Sequence, residues 1–210
     1  VHSPPLPIPS NFVFKNGSPN KIILNGRDQI YCFTKILGWK KSNIKLSPSF
    51  RFHKSKKNIK NTIFLPLTLR NTKTVINRLK FLEKFGYINL KSLKLKNHPG
   101  ALESKKNISF IKKIENLKKN LEYSKKRNIN QNTSIFIGTS GSIIEALERG
   151  SNVIQICDDP FFDIYSSKIW PSIKINKIAQ NIYTYKLKKR GNLIKFGDKK
   201  NNLKKIFLTL

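Results

Sequence analysis

The stretch SIFIGTSGSIIEALERGSNVIQI, Ser134 to Ile156, decides how the rest of the chain is read. An apolar run, Ser134 to Ile137, breaks off at Gly-Thr-Ser-Gly-Ser. From Ser142 to Arg149 the apolar residues fall at helical spacing, Gly150 supplies a stop, and a second apolar run covers Asn152 to Ile156. Two short buried strands joined by one helix pair in parallel through a crossover, because a tight hairpin is the only short connection open to antiparallel neighbours.

The same alternation extends upstream. Thr62 to Leu67 reads as a strand, and Val75, Ile76, Leu79, Leu82 and Phe85 predict an amphipathic helix over 72–84 that ends near Gly86. A strand follows in SLKLKNHP, and Ile108, Ile111, Ile114, Leu117 and Leu121 mark a further helix with lysines on its outer face. Strand and helix in strict alternation predict an α/β fold: a Rossmann-like parallel sheet with crossover helices over about residues 61 to 175. Lys21 to Gly26 is a candidate strand in an otherwise irregular first sixty residues, and Asn181 to Gly197 reads as a hairpin or a short edge strand with a turn. The expected organisation is residues 1–60 as the remnant of an N-terminal domain and linker, 61–197 as the Rossmann-like domain, and 198–210 as a basic tail.

The formal net charge of +31 over 210 residues raises nucleic acid, an anionic membrane surface or an anionic substrate as partners. Lysine supplies nearly all of it, only seven of the 42 basic residues being Arg, and the lysines are spread along the chain. That spread fits solvated faces in an anionic neighbourhood better than a dedicated nucleic-acid surface. No run of 18 apolar residues occurs and VHSPPLPIPSNF lacks the order of a signal peptide, so a cytoplasmic chain is expected. Cys32 and Cys157 make neither a metal spacing nor a disulfide framework and are read as reduced thiols. Methionine is absent, position 1 included, and the expectation is a fragment whose start lies upstream.

Ligands of open parallel sheets sit beyond the carboxyl ends of the strands. Three loops qualify: PLTLRNT, NHPGALES and GTSGS. GTSGS would bring backbone amides and the hydroxyls of Thr139, Ser140 and Ser142 to a helix start, with Gly138 and Gly141 permitting close approach. Ser142 and Glu145 equally fit a capping box, which would only satisfy the helix's own amides. Gly141 is expected at the point of closest backbone approach, in a positive-φ conformation. His98, fixed by Pro99, is a candidate phosphate donor or acid near neutral pH, placed at the same sheet end as Ser140 on a neighbouring strand. Asp158, Asp159 and Asp163 are candidate cation ligands, with capping of the turn at Pro160 as the structural alternative. Glu148 closes a helix at the end where a carboxylate is unfavourable, which points to a use beyond the helix itself.

IGTSGSIIEALERGSNVIQI together with LKNHPG resembles the donor-binding half of two-domain, GT-B type glycosyltransferases, nearest to bacterial surface-polysaccharide and sialyltransferase-like enzymes. The resemblance implies a transferase that uses a nucleotide-sugar as co-substrate, with no further cofactor and no metal, in polysaccharide or lipopolysaccharide synthesis. It implies a catalytic or phosphate-contacting role for His98, nucleotide and phosphate binding by Thr139, Ser140, Gly141 and Ser142, and a ribose or sugar contact for Glu145. The partners it implies are a nucleotide-sugar donor and a glycan or lipid-linked acceptor, with peripheral contact to an anionic membrane and no nucleic acid. An Asp/Glu-Asp/Glu-Gly motif and a Glu-x7-Glu pair, frequent in such enzymes, are absent, and the catalytic base is expected upstream. A basic RNA-associated protein and a sugar-nucleotide epimerase on the same scaffold stand as alternatives.

Overall fold

The computed structural model describes residues 13, 14, 18–54, 59–69, 71–101, 105–120, 132–138, 140–157 and 170–198. Its centre is a six-stranded sheet in the order β5-β4-β6-β7-β9-β8. Four of its strands are parallel: β4 (Thr62–Phe64), β5 (Lys94–Lys96), β6 (Thr133–Ile137) and β7 (Asn152–Ile156). Two more, β8 (Ile173–Ala179) and β9 (Ile182–Leu187), form a hairpin that docks β9 antiparallel on β7. The connecting helices are α2 (Thr72–Lys84) between β4 and β5, α3 (Lys105–Asn120) between β5 and β6, and α4 (Ser142–Glu148) between β6 and β7.

Register follows from side-chain alternation, since a slip by one residue would exchange the two faces. Leu95, Ile63, Ile135 and Ile154 lie in one row across four strands, and Ile137, Ile156 and Ile182 in another, all facing the same core. Helix α2 closes that core with Val75, Leu79 and Leu82, and α3 contributes Phe110 and Ile114. The opposite face presents Phe64, Phe136 and Tyr185, which pack with Ile143, Ile144, Ala146 and Leu147 of α4. Seven residues make α4 too short to persist alone in water, and burial of nearly every side chain on it supplies what propensity does not.

The bounds predicted for the helix over 72–84 hold residue for residue, and its stop is a glycine turn. Gly86 takes φ 74°, its N–H reaches the Glu83 carbonyl, and the Tyr87 N–H reaches that of Leu82, the pattern of a Schellman cap. The reading of the C-terminal region needs correction. Ile182–Leu187 is an interior strand, and the edge strand is Ile173–Ala179. The hairpin turns at Asn181, φ 59°, a residue that tolerates the left-handed region.

The described residues among the first sixty form more regular structure than expected. β1 (Ile22–Leu24), α1 (Arg27–Lys35) and β2 (Ile44–Leu46) form a parallel strand-helix-strand unit with its own core of Leu24, Cys32, Phe33, Leu37 and Trp39. β3 (Ser49–His53) pairs with β10 (Phe196–Gly197). This unit is bound to the 170–198 segment by buried polar contacts. The Asp28 carboxylate accepts from both the N–H and the hydroxyl of Ser172 at 2.8 Å, and the Lys195 N–H donates to the Asn25 carbonyl at 2.6 Å. Both cysteines are buried and outside any disulfide, and burial pushes the Cys32 thiol up from its ordinary pKa. No helix among the described residues is long and apolar enough to cross a membrane.

Candidate functional site at the carboxyl edge of the sheet

Strand order decides where a crevice opens. From β4 the chain moves outward to β5, returns past β4 to β6 and continues to β7, so the direction of winding reverses between β4 and β6. At such a switch point the loops leaving the two strands diverge, and the crevice beyond their carboxyl ends is the usual ligand site of an open parallel sheet. The loop residues described there are 65–69 and 71 after β4 and 138, 140 and 141 after β6, with 97–101 after β5 beside them.

His98 and Ser140 are at the same edge, as expected, but not on neighbouring strands. β4 lies between their parent strands, which puts two strand spacings, about 10 Å, between the points where the chain leaves the sheet. The loops after β4 and β5 touch: a Cβ built on Gly100 would lie 3.1 Å from Leu67 Cδ1. Buried Asn107 of α3 joins them further, its amide donating to the Pro66 carbonyl and to Asn97 Oδ1 at 3.2 Å. His98 is exposed, and its Nδ1 accepts from the Gly100 N–H at 3.1 Å. With Nδ1 used as an acceptor, the proton of the neutral ring sits on Nε2, which makes that atom a donor.

The Gly-Thr-Ser-Gly-Ser segment is built differently from its sequence reading. The residue in the left-handed region is Gly138, φ 73°, whereas Gly141 sits at φ −60° and ψ −16° in ordinary helical space. Gly138 is held on both sides: its N–H donates to the Ile156 carbonyl at 2.7 Å and its carbonyl accepts from buried Gln155 at 3.0 Å. The capping box does not form. Ser140 supplies the cap instead, its hydroxyl oxygen accepting from the Ser142 N–H at 3.3 Å and its carbonyl from the Ile143 N–H at 3.1 Å. Thr139 lies outside the described residues, as do Asp158, Asp159 and Asp163.

Glu145 points inward. Its carboxylate pairs with Arg149 one turn on, at 2.9 Å, and Arg149 also donates to the His53 carbonyl and lies over the Phe196 ring. Glu148 has the further use that its position suggested. Buried to 6% exposure, it accepts from the N–H groups of Gly191 and Leu193 at 2.7 Å and of Ile194 at 3.3 Å.

Two cations at the carboxyl edge escaped the sequence reading. Lys96, the last residue of β5, holds its ammonium 5.6 Å from the Phe64 ring, and Phe64 stacks on Phe136 at 4.5 Å. Arg78 of α2 donates to the Cys157 carbonyl just past β7. The alternation Lys-Leu-Lys was the available signal for Lys96, since it puts Leu95 on the core face and both lysines on the other. Nothing local in the sequence could have joined Arg78 to a carbonyl 79 positions away. Comparison with protein-family models, with curated proteins and with solved structures found no match.

Proposed function

We propose that the carboxyl edge of this sheet binds a nucleotide-sugar, and that the chain is the donor-binding part of a GT-B type glycosyltransferase acting on surface glycans. The observation that carries the reading is the reversal of winding between β4 and β6, with His98 and Ser140 on loops at that same edge. In this role the Nε2–H of His98 donates to a phosphate oxygen of the donor, and Lys96 adds a positive charge nearby. When the bond from the sugar's anomeric carbon to the phosphate oxygen breaks, charge grows on the departing nucleotide, and both groups stabilise it there. Glu145, paired with Arg149, holds the first turn of α4 in this reading and does not reach the sugar.

The test is calorimetric titration of the chain with UDP and with CMP in the presence of a chelator. Binding without metal is expected for one of them, weakened about tenfold in His98→Ala, the loss of one hydrogen bond to a charged group. The melting temperature should change little, because His98 is exposed and its ring bonds to Gly100 of its own loop. Absence of nucleotide binding, or equal affinity in wild type and His98→Ala, would overturn the reading.

A further inference from the structure

The carboxyl-terminal tip of α2 carries two exposed rings, Phe85 and Tyr87, beside Phe81, which packs against the core. Phe85 is 56% exposed and Tyr87 43%, and both rings gather on half-buried Phe81, with centroids 4.5 Å and 6.5 Å away. The Schellman cap accounts for Tyr87 against Phe81, since that motif brings the residue after the glycine back onto the last turn. It does not account for Phe85, a large apolar ring left mostly in water.

Three further observations bear on what would cover it. Lys80 and Lys84 are exposed and lie one turn apart on one flank of the last turns of α2, near the rings. Glu83, the one carboxylate of the helix, turns away to accept the Leu90 N–H at 2.5 Å. The backbone at the tip has its partners: Phe85 N–H to the Phe81 carbonyl, Gly86 to Glu83 and Tyr87 to Leu82. A tip of this kind can leave water without orphaning these amides, which eases entry to the boundary between lipid headgroups and acyl chains.

We propose that Phe85 and Tyr87, backed by Phe81, form a lipid-insertion tip, docked by the flanking lysines on an anionic membrane surface. Phenyl and phenol rings suit the interfacial depth, and each nearby lysine adds about 1 kcal/mol on an anionic leaflet. The rings meet each other at 43° and 19°, Phe81 lying against both, so they form a packed knob rather than an open platform on which a nucleobase could stack. The 13 residues of α2 carry the chain about 20 Å from the carboxyl edge of the sheet to this tip. Docking there leaves the candidate site facing away from the lipid, and the inference holds whatever that site binds.

The experiment is co-sedimentation of the chain with vesicles of equal parts phosphatidylcholine and phosphatidylglycerol, against phosphatidylcholine alone. Binding to the anionic vesicles is expected, and Phe85→Ala with Tyr87→Ala should weaken it at least about tenfold, the effect of withdrawing two half-exposed rings. Both side chains are exposed, so melting should change little. In a second measurement, Phe85→Trp should shift its emission to the blue and be quenched by lipids brominated in the acyl chain. Undiminished binding by the double variant would leave only lysine electrostatics and overturn the proposal. Loss of binding to single-stranded RNA, with vesicle binding intact, would overturn it in favour of nucleic acid.

Discussion

Tyr185 of β9 donates its phenol hydrogen to Oε1 of Gln155 on β7 at 2.6 Å, and the amide of the same Gln155 donates to the Gly138 carbonyl at 3.0 Å. All three residues are buried, so the relay is a polar thread through an otherwise apolar face, joining the antiparallel hairpin to the turn that opens the candidate site. Tyr185→Phe removes one donor and leaves Oε1 unsatisfied, and should destabilise the chain by about 1–3 kcal/mol. Gln155→Leu leaves both the phenol and the Gly138 carbonyl without that partner and should cost at least as much. Combined, the two changes should cost clearly less than their sum, because they break one shared contact. Urea unfolding of the two single variants and the double variant measures this, and full additivity would show that the thread is not coupled.

Glu148 gives a sharper case. Three N–H groups of the 191–194 segment converge on one carboxylate, and Glu148→Ala would leave those of buried Leu193 and Ile194 without a partner in a dry environment. The expected loss is about 3 kcal/mol or more. Glu148→Gln keeps one acceptor oxygen and should lose roughly half as much. Equal melting temperatures for wild type and Glu148→Ala would show that these contacts contribute nothing to the fold.

What could be read from the sequence was local. Helical spacing with a glycine stop placed α2 to the residue, and Ser134 to Ile156 delivered two strands and a helix within one position at either end. Parallel pairing followed from the alternation, but not strand order, since nothing in the local pattern states that β4 sits between β5 and β6. The site suffered from the same limit. Which glycine takes positive φ depends on how Gly138 is pinned by Ile156 and Gln155, residues 17 and 18 positions on. Glu145 looked like a cap by its spacing from Ser142, yet Arg149 on the same face competes for it with a full charge.

A close backbone-to-backbone contact inside the fold occurs at Gly26. A Cβ there would lie 1.9 Å from the Leu193 carbonyl oxygen, because the start of α1 docks on the 192–193 backbone, with the Asp28 N–H donating to the Asn192 carbonyl. Gly26 has φ −147°, which any residue adopts, so the constraint is space and not conformation. Gly26→Ala should therefore separate the first unit from the 170–198 segment and destabilise the chain by about 3 kcal/mol. An alanine variant that melts with the wild type would mean that the two segments do not pack this closely.

The two glycines of the Gly-Thr-Ser-Gly turn should behave oppositely to their sequence reading. Gly138 at φ 73° places an alanine in the left-handed region, at a cost of about 1–2 kcal/mol. Gly141 at φ −60° places it in helical space, where the smaller entropy of the unfolded alanine chain should leave stability unchanged or raised by about 0.5 kcal/mol. Ser140→Ala should cost about 1 kcal/mol by removing the cap, while Ser142→Ala, whose side chain supplies no cap, should be nearly silent. Melting curves rank the four variants without any ligand, and nucleotide titration of the same set adds what stability cannot say. If the phosphates approach this turn, Gly141→Val should weaken nucleotide binding while the protein stays folded, because its backbone conformation accepts a side chain. A Gly141→Val protein that melts normally and binds nucleotide as tightly as wild type would place the phosphates elsewhere along the carboxyl edge.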